Sequence, residues 1–174
     1  SFDLPNTMSD QQTQKAKRKL LKLYKNYKED KDADELGILA APDQNDLFPW
    51  NCIIQGPKDT IWDEGYFHIV IKFTKDYPKE PPTAEFQPSI FHPNVYKDGR
   101  LCLDILTKKH WSKEYSMAHI LISIRSLLND PNPESPANHD ANEAYLRYMK
   151  DKTDTEYPER VRKDVEESWN NLKD

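Results

Sequence analysis

Residue types that suggest covalent chemistry fall within one short stretch of the chain, residues 87–113. It contains Cys102 together with His92 and His110, and it lacks the regular apolar spacing of a helix or a strand. A thiolate can act as a nucleophile, and a nearby imidazole can act as its base. Long irregular segments in compact domains are often functional, so this stretch is the first place to look for a reactive site.

Cys102 by itself allows three interpretations. A cysteine flanked by two leucines is most often a small buried apolar residue. A cysteine–histidine hydrolase with His92 or His110 as the base is a second interpretation, although no local protease signature surrounds the cysteine. A zinc site is a third, but Cys52, Cys102 and the scattered histidines lack the spacing of zinc ligands. The turn at Asp98-Gly99 just before Cys102 favours a position near the surface.

Composition limits the class of protein to which the chain can belong. Its 174 residues suit a single domain. No apolar run approaches the roughly 20 residues of a membrane helix and no segment resembles a signal peptide, so we expect neither membrane insertion nor secretion. The low cysteine content predicts a reducing compartment, the cytoplasm or the nucleus. A net charge of −5 argues against direct binding of nucleic acid.

The first half of the chain predicts one helix followed by four strands. Residues 1–14 are polar and aperiodic, which predicts a disordered lead with a natural start at Met8, and residues 15–174 should form the folded domain. A helix is predicted from Lys15 to Glu29 because apolar side chains recur at 3–4-residue spacing. Short turns leave no room for crossover helices, so the strands should form an antiparallel meander. The strands are predicted at residues 37–41, 47–55, 66–73 and 83–86.

The last third of the chain predicts helices. Ser116 and Asn138 are each placed to cap the N-terminus of one helix, and a further helix should run from near Pro158 to Leu172. A helix, four strands and segregated C-terminal helices predict an α+β domain, with the active-site loop between sheet and helices. Cys52 alternates with apolar neighbours and is predicted to lie in the core.

The residues around Cys102 carry a resemblance to a known family. The run from Phe91 to Leu106 holds a His-Pro-Asn triplet at residues 92–94, the cysteine eight residues after Asn94, and then Leu-Asp-Ile-Leu. This run resembles the signature of the ubiquitin-conjugating enzymes. The resemblance covers Lys15 to Leu172, because further motifs follow in family order. They are Trp50-Asn51, Tyr77-Pro78, Pro81-Pro82, Trp111 and the run from Asp130 to Pro133.

The resemblance implies a two-step acyl transfer at Cys102. The cysteine would accept ubiquitin as a thioester from an activating enzyme, which consumes ATP upstream, and pass it to a lysine of a protein substrate. No bound cofactor or metal is implied. Asn94 would either stabilise the oxyanion or order the loop, and His92 and Pro93 would be structural. The residues implied to orient or admit the lysine are Tyr96, Asp104, Asn132 and, as a gate, Ser135.

Finer features resemble the branch that acts in post-replication repair and histone ubiquitination. Residues 127–138 and 165–169 are similar to that branch, whose members carry serine at the position of Ser135. The branch specific for small ubiquitin-like modifiers shares part of the run around Asn94, but its members are typically basic.

The partners implied by the resemblance are ubiquitin, the activating enzyme and a ligase of the RING type. Lys79 lies in the first ligase-facing loop, and Lys113 and Glu114 depart from the usual residues of the second. The basic face of the first helix is implied to dock the activating enzyme, and the alternative is a solvated face. Its residues are Lys15, Lys17, Arg18, Lys19 and Lys22.

Three classes of function follow from these observations. A ubiquitin-conjugating enzyme is the preferred one. A non-catalytic relative that only binds ubiquitin would lack the acceptor cysteine, whereas Cys102 is present. A thiol hydrolase would cleave peptide or ester bonds without an activating enzyme, which a charging assay distinguishes.

Overall fold

A computed structural model of the chain describes residues 7–33 and 35–172, and it shows one four-stranded sheet packed against helices. The predicted α+β class and the order of the elements are confirmed. The helices are α1 (Met8–Glu29), α2 (Met117–Asn129), α3 (His139–Lys150) and α4 (Glu156–Leu172). The strands are β1 (Ile38–Pro42), β2 (Pro49–Gln55), β3 (Tyr66–Lys72) and β4 (Thr83–Phe86), and a short 3-10 helix covers Asp104–Leu106. None of the helices in the described ranges is long and apolar enough to cross a membrane.

The first helix begins at Met8, earlier than predicted. Thr7 caps it, because its side chain accepts a hydrogen bond from the Asp10 backbone N–H at 3.0 Å. The prediction of a disordered lead is therefore wrong for residues 8–14. Apolar spacing, which set the predicted start, does not register these first turns, because their one large apolar side chain, Met8, is exposed and the residues after it are polar. Residues 1–6 lie outside the described ranges.

Polar contacts hold this extra part of α1 against the loop that follows β3. Gln12 Nε2 donates to Asp76 Oδ1 at 2.6 Å, and Lys75 Nζ donates to Ser9 Oγ at 3.1 Å. The partners are 64 and 66 residues apart in the chain, so no local pattern could indicate these contacts.

The sheet is the predicted antiparallel meander, with its strands in the order β1-β2-β3-β4. Its inner face is apolar because every second residue of the strands points to the core. Cys52 lies on this face with only 1% of its surface exposed, as predicted, and burial raises the pKa of its thiol. The inner face packs against α2, whose Ile120, Leu121 and Ile124 are fully buried.

The caps of the C-terminal helices are confirmed. Ser116 Oγ accepts from the His119 N–H at 3.0 Å, and Asn138 Oδ1 accepts from the Ala141 N–H at 3.1 Å. The predicted C-terminal helix is present as α4, and its Trp169 is 46% exposed. The Trp169 side chain packs edge-on against one ring, Tyr66, with centroids 5.0 Å apart, rather than entering the core.

Candidate active site

Cys102 sits at the end of a tight chain reversal that brings it beside Asn94. The reversal turns at Gly99, whose φ of +96° favours glycine, and a Cβ there would lie 2.2 Å from the Phe86 carbonyl oxygen. The Cys102 N–H then donates to the Asn94 carbonyl oxygen at 2.9 Å. The residue is half-buried, in contrast to Cys52, and partial exposure is typical of reactive cysteines.

His92 is buried and both of its ring nitrogens are engaged with backbone groups. Nε2 lies 2.7 Å from the Leu127 carbonyl oxygen, and Nδ1 accepts from the Asn94 N–H at 3.0 Å. A carbonyl oxygen can only accept, so the proton is on Nε2. Burial lowers the pKa of His92 to about 4, against the opposing effect of the carbonyl contacts, and keeps the ring neutral near pH 7. The ring therefore ties the loop to the end of α2 and is not free to act as a base.

The Asn94 side chain is also fully engaged. Its Nδ2 donates to the carbonyl oxygens of Asn132 at 2.8 Å and of Ser135 at 3.0 Å. Its Oδ1 accepts from the Asn132 N–H at 2.8 Å. Because an amide nitrogen has two protons, both are used by these carbonyls. In this arrangement the side chain orders the loop beside Cys102 and holds no spare donor for an oxyanion.

The 131–138 loop is fastened to the His-Pro-Asn triplet by further bonds. The Pro93 carbonyl oxygen accepts from the N–H groups of Ala137 at 2.7 Å and Asn138 at 3.1 Å. Asn142 of α3 donates from Nδ2 to the Pro133 carbonyl oxygen at 3.3 Å. Sequence reasoning missed Asn142, although its position next to the inward-facing Ala141 on the helix was an available signal.

The other predicted site residues are Tyr96, Asp104 and Ser135, and all three are exposed. Tyr96 is 39% exposed and lies under the Arg100 guanidinium, 4.7 Å from the ring centroid. Asp104 is exposed at the start of the 3-10 helix, and its carbonyl oxygen accepts from the Thr107 N–H at 3.0 Å. Ser135 is exposed as well. Asn94 thus forms hydrogen bonds with three of the predicted site residues, Cys102, Asn132 and Ser135. Tyr96 and Asp104 are close to Asn94 and Cys102 in sequence. Within the described ranges no group of histidines, cysteines or carboxylates could hold a metal ion.

Comparison with known proteins decides the family. The sequence model described as "Ubiquitin-conjugating enzyme" matches residues 22–165. The chain belongs to the ubiquitin-conjugating enzyme family. It is 43% identical over 160 residues to "Ubiquitin-conjugating enzyme E2 1" of Caenorhabditis elegans, an alignment that covers 92% of this chain and 79% of that relative. The predicted resemblance to this family is confirmed, and the protein is a ubiquitin-conjugating transferase whose partners are ubiquitin, an activating enzyme and ligases.

Six of the eight residues predicted to bind partners of this ubiquitin-conjugating enzyme line two neighbouring grooves. A groove of about 330 Å³ lies between α1 and the loop before α2, and it is lined by Lys19, Lys22, Lys113 and Glu114. A second groove, of about 580 Å³, is lined by Lys15 and Lys79 among others. Trp111 Nε1 donates to the Pro78 carbonyl oxygen at 2.8 Å and so joins the two loops. Both grooves include Tyr77 and Pro78, which makes the surface continuous.

Two predicted docking residues, Lys17 and Arg18, line neither of these grooves. Arg18 is exposed on α1 and Lys17 is half-buried. Helical geometry explains this result, because residues adjacent in sequence point about 100° apart around the helix axis.

Asp164 of α4 supports the active-site loop of the enzyme from behind. Its Oδ2 accepts from the Phe91 N–H at 2.6 Å, immediately before His92, and the Arg160 guanidinium lies over the Phe91 ring at 4.0 Å. Burial raises the pKa of Asp164 to about 6, and the nearby Glu167 adds to this, whereas the Phe91 N–H and Arg160 act in the opposite direction. Asp164 was also missed from the sequence.

Replacing Asp164 with asparagine should stabilise the enzyme at pH 7. Asparagine keeps an oxygen for the Phe91 N–H and removes the charge that burial disfavours. For a fully buried group this shift would correspond to about 3 kcal/mol, but Asp164 is half-buried and screened, so we expect about 1 kcal/mol. Urea unfolding of both proteins at pH 4 and pH 7 measures the difference in the free energy of unfolding.

The sign of the pH dependence follows from the raised pKa. Between about pH 4 and 6 the folded state holds the Asp164 proton more tightly than the unfolded state, so stability from this group falls as the pH rises. His92 has the opposite effect over a similar range because its pKa is lowered. The advantage of Asp164→Asn should therefore be absent at pH 4 and present at pH 7. A variant that is less stable at pH 7 would show that the charged hydrogen bond to Phe91 outweighs the burial cost.

Proposed function

We propose that the enzyme carries ubiquitin as a thioester on Cys102 and, with a ligase of the RING type, transfers it to lysines of protein substrates. The observation that supports this most directly is the contrast between the two cysteines. Cys102 is half-buried on a loop held by Asn94 and His92, whereas Cys52 is in the core. Both cysteines are free, which suits the reducing cytoplasm or nucleus proposed for the enzyme.

The first step is a thioester exchange. The Cys102 thiolate attacks the carbonyl carbon of the ubiquitin thioester on the activating enzyme, a new C–S bond forms, and the activating enzyme's thiolate leaves. ATP is consumed earlier, when the activating enzyme makes its own thioester. The proposed reaction at Cys102 therefore requires no bound cofactor.

The second step is attack by the neutral amine of a lysine on the Cys102 thioester, which releases the thiolate and forms an amide. The carbonyl oxygen gains negative charge in the transition state, and the amine loses a proton to solvent. Both nitrogens of His92 are engaged, so His92 contributes position rather than base strength. We propose that Tyr96, Asp104 and Asn132 orient the amine. We propose that Ser135 acts as a gate that admits the lysine to the Cys102 thioester.

A charging assay tests this proposal. The protein is incubated with activating enzyme, ATP and ubiquitin, and the products are compared on non-reducing and reducing gels. We expect an adduct of one ubiquitin that reductant removes and that depends on ATP and on the activating enzyme. A thiol hydrolase would give no such adduct and would cleave ester or peptide substrates without ATP.

Charge reversal in the groove beside α1 should slow charging. Lys19 and Lys22 line this groove together with Lys113, and we expect an acidic surface of the activating enzyme to dock there. The Lys19→Glu/Lys22→Glu variant should lower kcat/KM for charging by about tenfold, because two weak surface pairs become repulsive. The measurement is the initial rate of thioester formation at varied enzyme concentration.

The matched control is Lys58→Glu/Lys150→Glu, which changes the net charge equally at two exposed lysines that line neither groove. Added salt should slow the wild-type reaction and reduce the difference between the variants. Equal charging rates for the two double variants would show that this face of α1 is a solvated surface and not a docking site.

A further inference from the structure

Glu134 is a carboxylate without a cationic partner on the 131–138 loop. Its N–H donates to the Asn132 side-chain oxygen at 3.2 Å, and its own side chain is exposed. None of the ion pairs among the described residues includes it. The neighbouring Ser135 is neutral, so Glu134 supplies the negative charge of this part of the loop.

The backbone around Glu134 is fixed on both sides. Asn94 binds the N–H and the carbonyl oxygen of Asn132 before it and the carbonyl oxygen of Ser135 after it. Asn142 of α3 donates a further hydrogen bond to the carbonyl oxygen of Pro133. Four such bonds hold the backbone here, so the Cα atom of Glu134 has a fixed position.

The same residue that fixes this loop also fixes the nucleophile. The Asn94 carbonyl oxygen accepts the N–H of Cys102, while the Asn94 side chain binds the residues on both sides of Glu134. The two segments are therefore neighbours, joined through one asparagine. Charges in solution act on one another over about one Debye length, about 8 Å at physiological ionic strength.

We infer that Glu134 is a specificity-determining residue that favours acceptor lysines within basic or neutral segments over lysines flanked by acidic residues. This inference rests on the proposed thioester at Cys102. An acceptor lysine arrives mainly as an ammonium ion, because its ordinary pKa is about 10.4. A carboxylate on this loop, whose backbone Asn94 ties to the Cys102 segment, raises the local concentration of cationic segments and lowers that of acidic ones. The amine then loses its proton to solvent and attacks as described above.

Single-turnover discharge of purified Cys102 thioester tests the inference. The acceptors are a peptide with one lysine flanked by arginines, a peptide with one lysine flanked by aspartates, and hydroxylamine, which is neutral at pH 7. Glu134→Gln should slow discharge to the basic peptide by about two- to fivefold at low salt, the range expected for one exposed charge pair. It should speed discharge to the acidic peptide and leave hydroxylamine unchanged, and high salt should remove both effects.

The control is Glu159→Gln, an equal charge change at an exposed position on α4 that forms none of the described ion pairs. Equal rates of Glu134→Gln and wild type with both peptides would overturn the inference. An equal loss with all three acceptors, hydroxylamine included, would also overturn it, because it would show a shift of the loop rather than a charge effect. Thioester formation on Cys102 is measured first. If the wild-type protein formed no thioester, the proposed function itself would be overturned.

Discussion

Replacing Cys102 with serine should convert the reducible ubiquitin adduct into one that survives thiol reductant. Serine keeps the position fixed by the Asn94 carbonyl oxygen and changes only the nucleophilic atom, so the product is an oxyester instead of a thioester. Charging should be much slower because a hydroxyl is far less acidic than a thiol. Cys102→Ala should give no adduct at all, which is the largest effect expected for any single substitution here.

The two cysteines make this experiment self-controlled. Cys52 is buried in β2 with a raised thiol pKa, so Cys52→Ala should still form a reducible adduct, at some cost in stability. The measurement is the adduct on gels with and without reductant, together with its intact mass. If Cys102→Ser stayed unmodified while Cys52→Ala abolished charging, the assigned nucleophile would be wrong.

Replacing Asn94 with alanine should leave charging nearly intact and slow transfer to lysine by about 10²–10³-fold. The substitution removes three hydrogen bonds to Asn132 and Ser135, which hold the loop beside the thioester. We expect a loss as large as that caused by removing one oxyanion donor, because a disordered loop no longer positions the thioester and the incoming amine. Attack by an amine depends on that positioning more than thiol exchange does, so the two steps should separate in single-turnover kinetics.

Hydrogen exchange distinguishes the two roles that the sequence left open for Asn94. Both Nδ2 protons donate to backbone carbonyls, so we expect the loop-ordering role to dominate. The Asn132 N–H, which now donates to Asn94 Oδ1, should then lose protection in Asn94→Ala in parallel with the loss of transfer. Slow transfer with unchanged protection would instead support direct stabilisation of the oxyanion. Equal losses in charging and transfer would mean that the loop had collapsed.

Local signals in the sequence were sufficient for most of the fold. Alternating apolar residues predicted β2 and β3, and capping side chains at Ser116 and Asn138 marked the starts of α2 and α3. These features can be predicted from the sequence because a strand or a helix cap depends on residues only a few positions apart. The start of α1 was misplaced for the same reason, since the residues after Met8 in its first turns are polar and Ser9 and Gln12 bind a loop that is distant in sequence.

The sequence also determined which residues form the site, whereas the tertiary structure decided what they contact. The spacing from His92 to Cys102 was readable directly and led to the family. Yet Asn94 meets Asn132 and Ser135 from 38 and 41 residues away, and Asp164 meets Phe91 from 73 residues away. Such contacts depend on how whole helices pack against the sheet, and no periodicity within one segment encodes the partner that another segment brings. The engagement of both Asn94 amide protons, and with it the loop-ordering role, therefore emerged only from the folded chain.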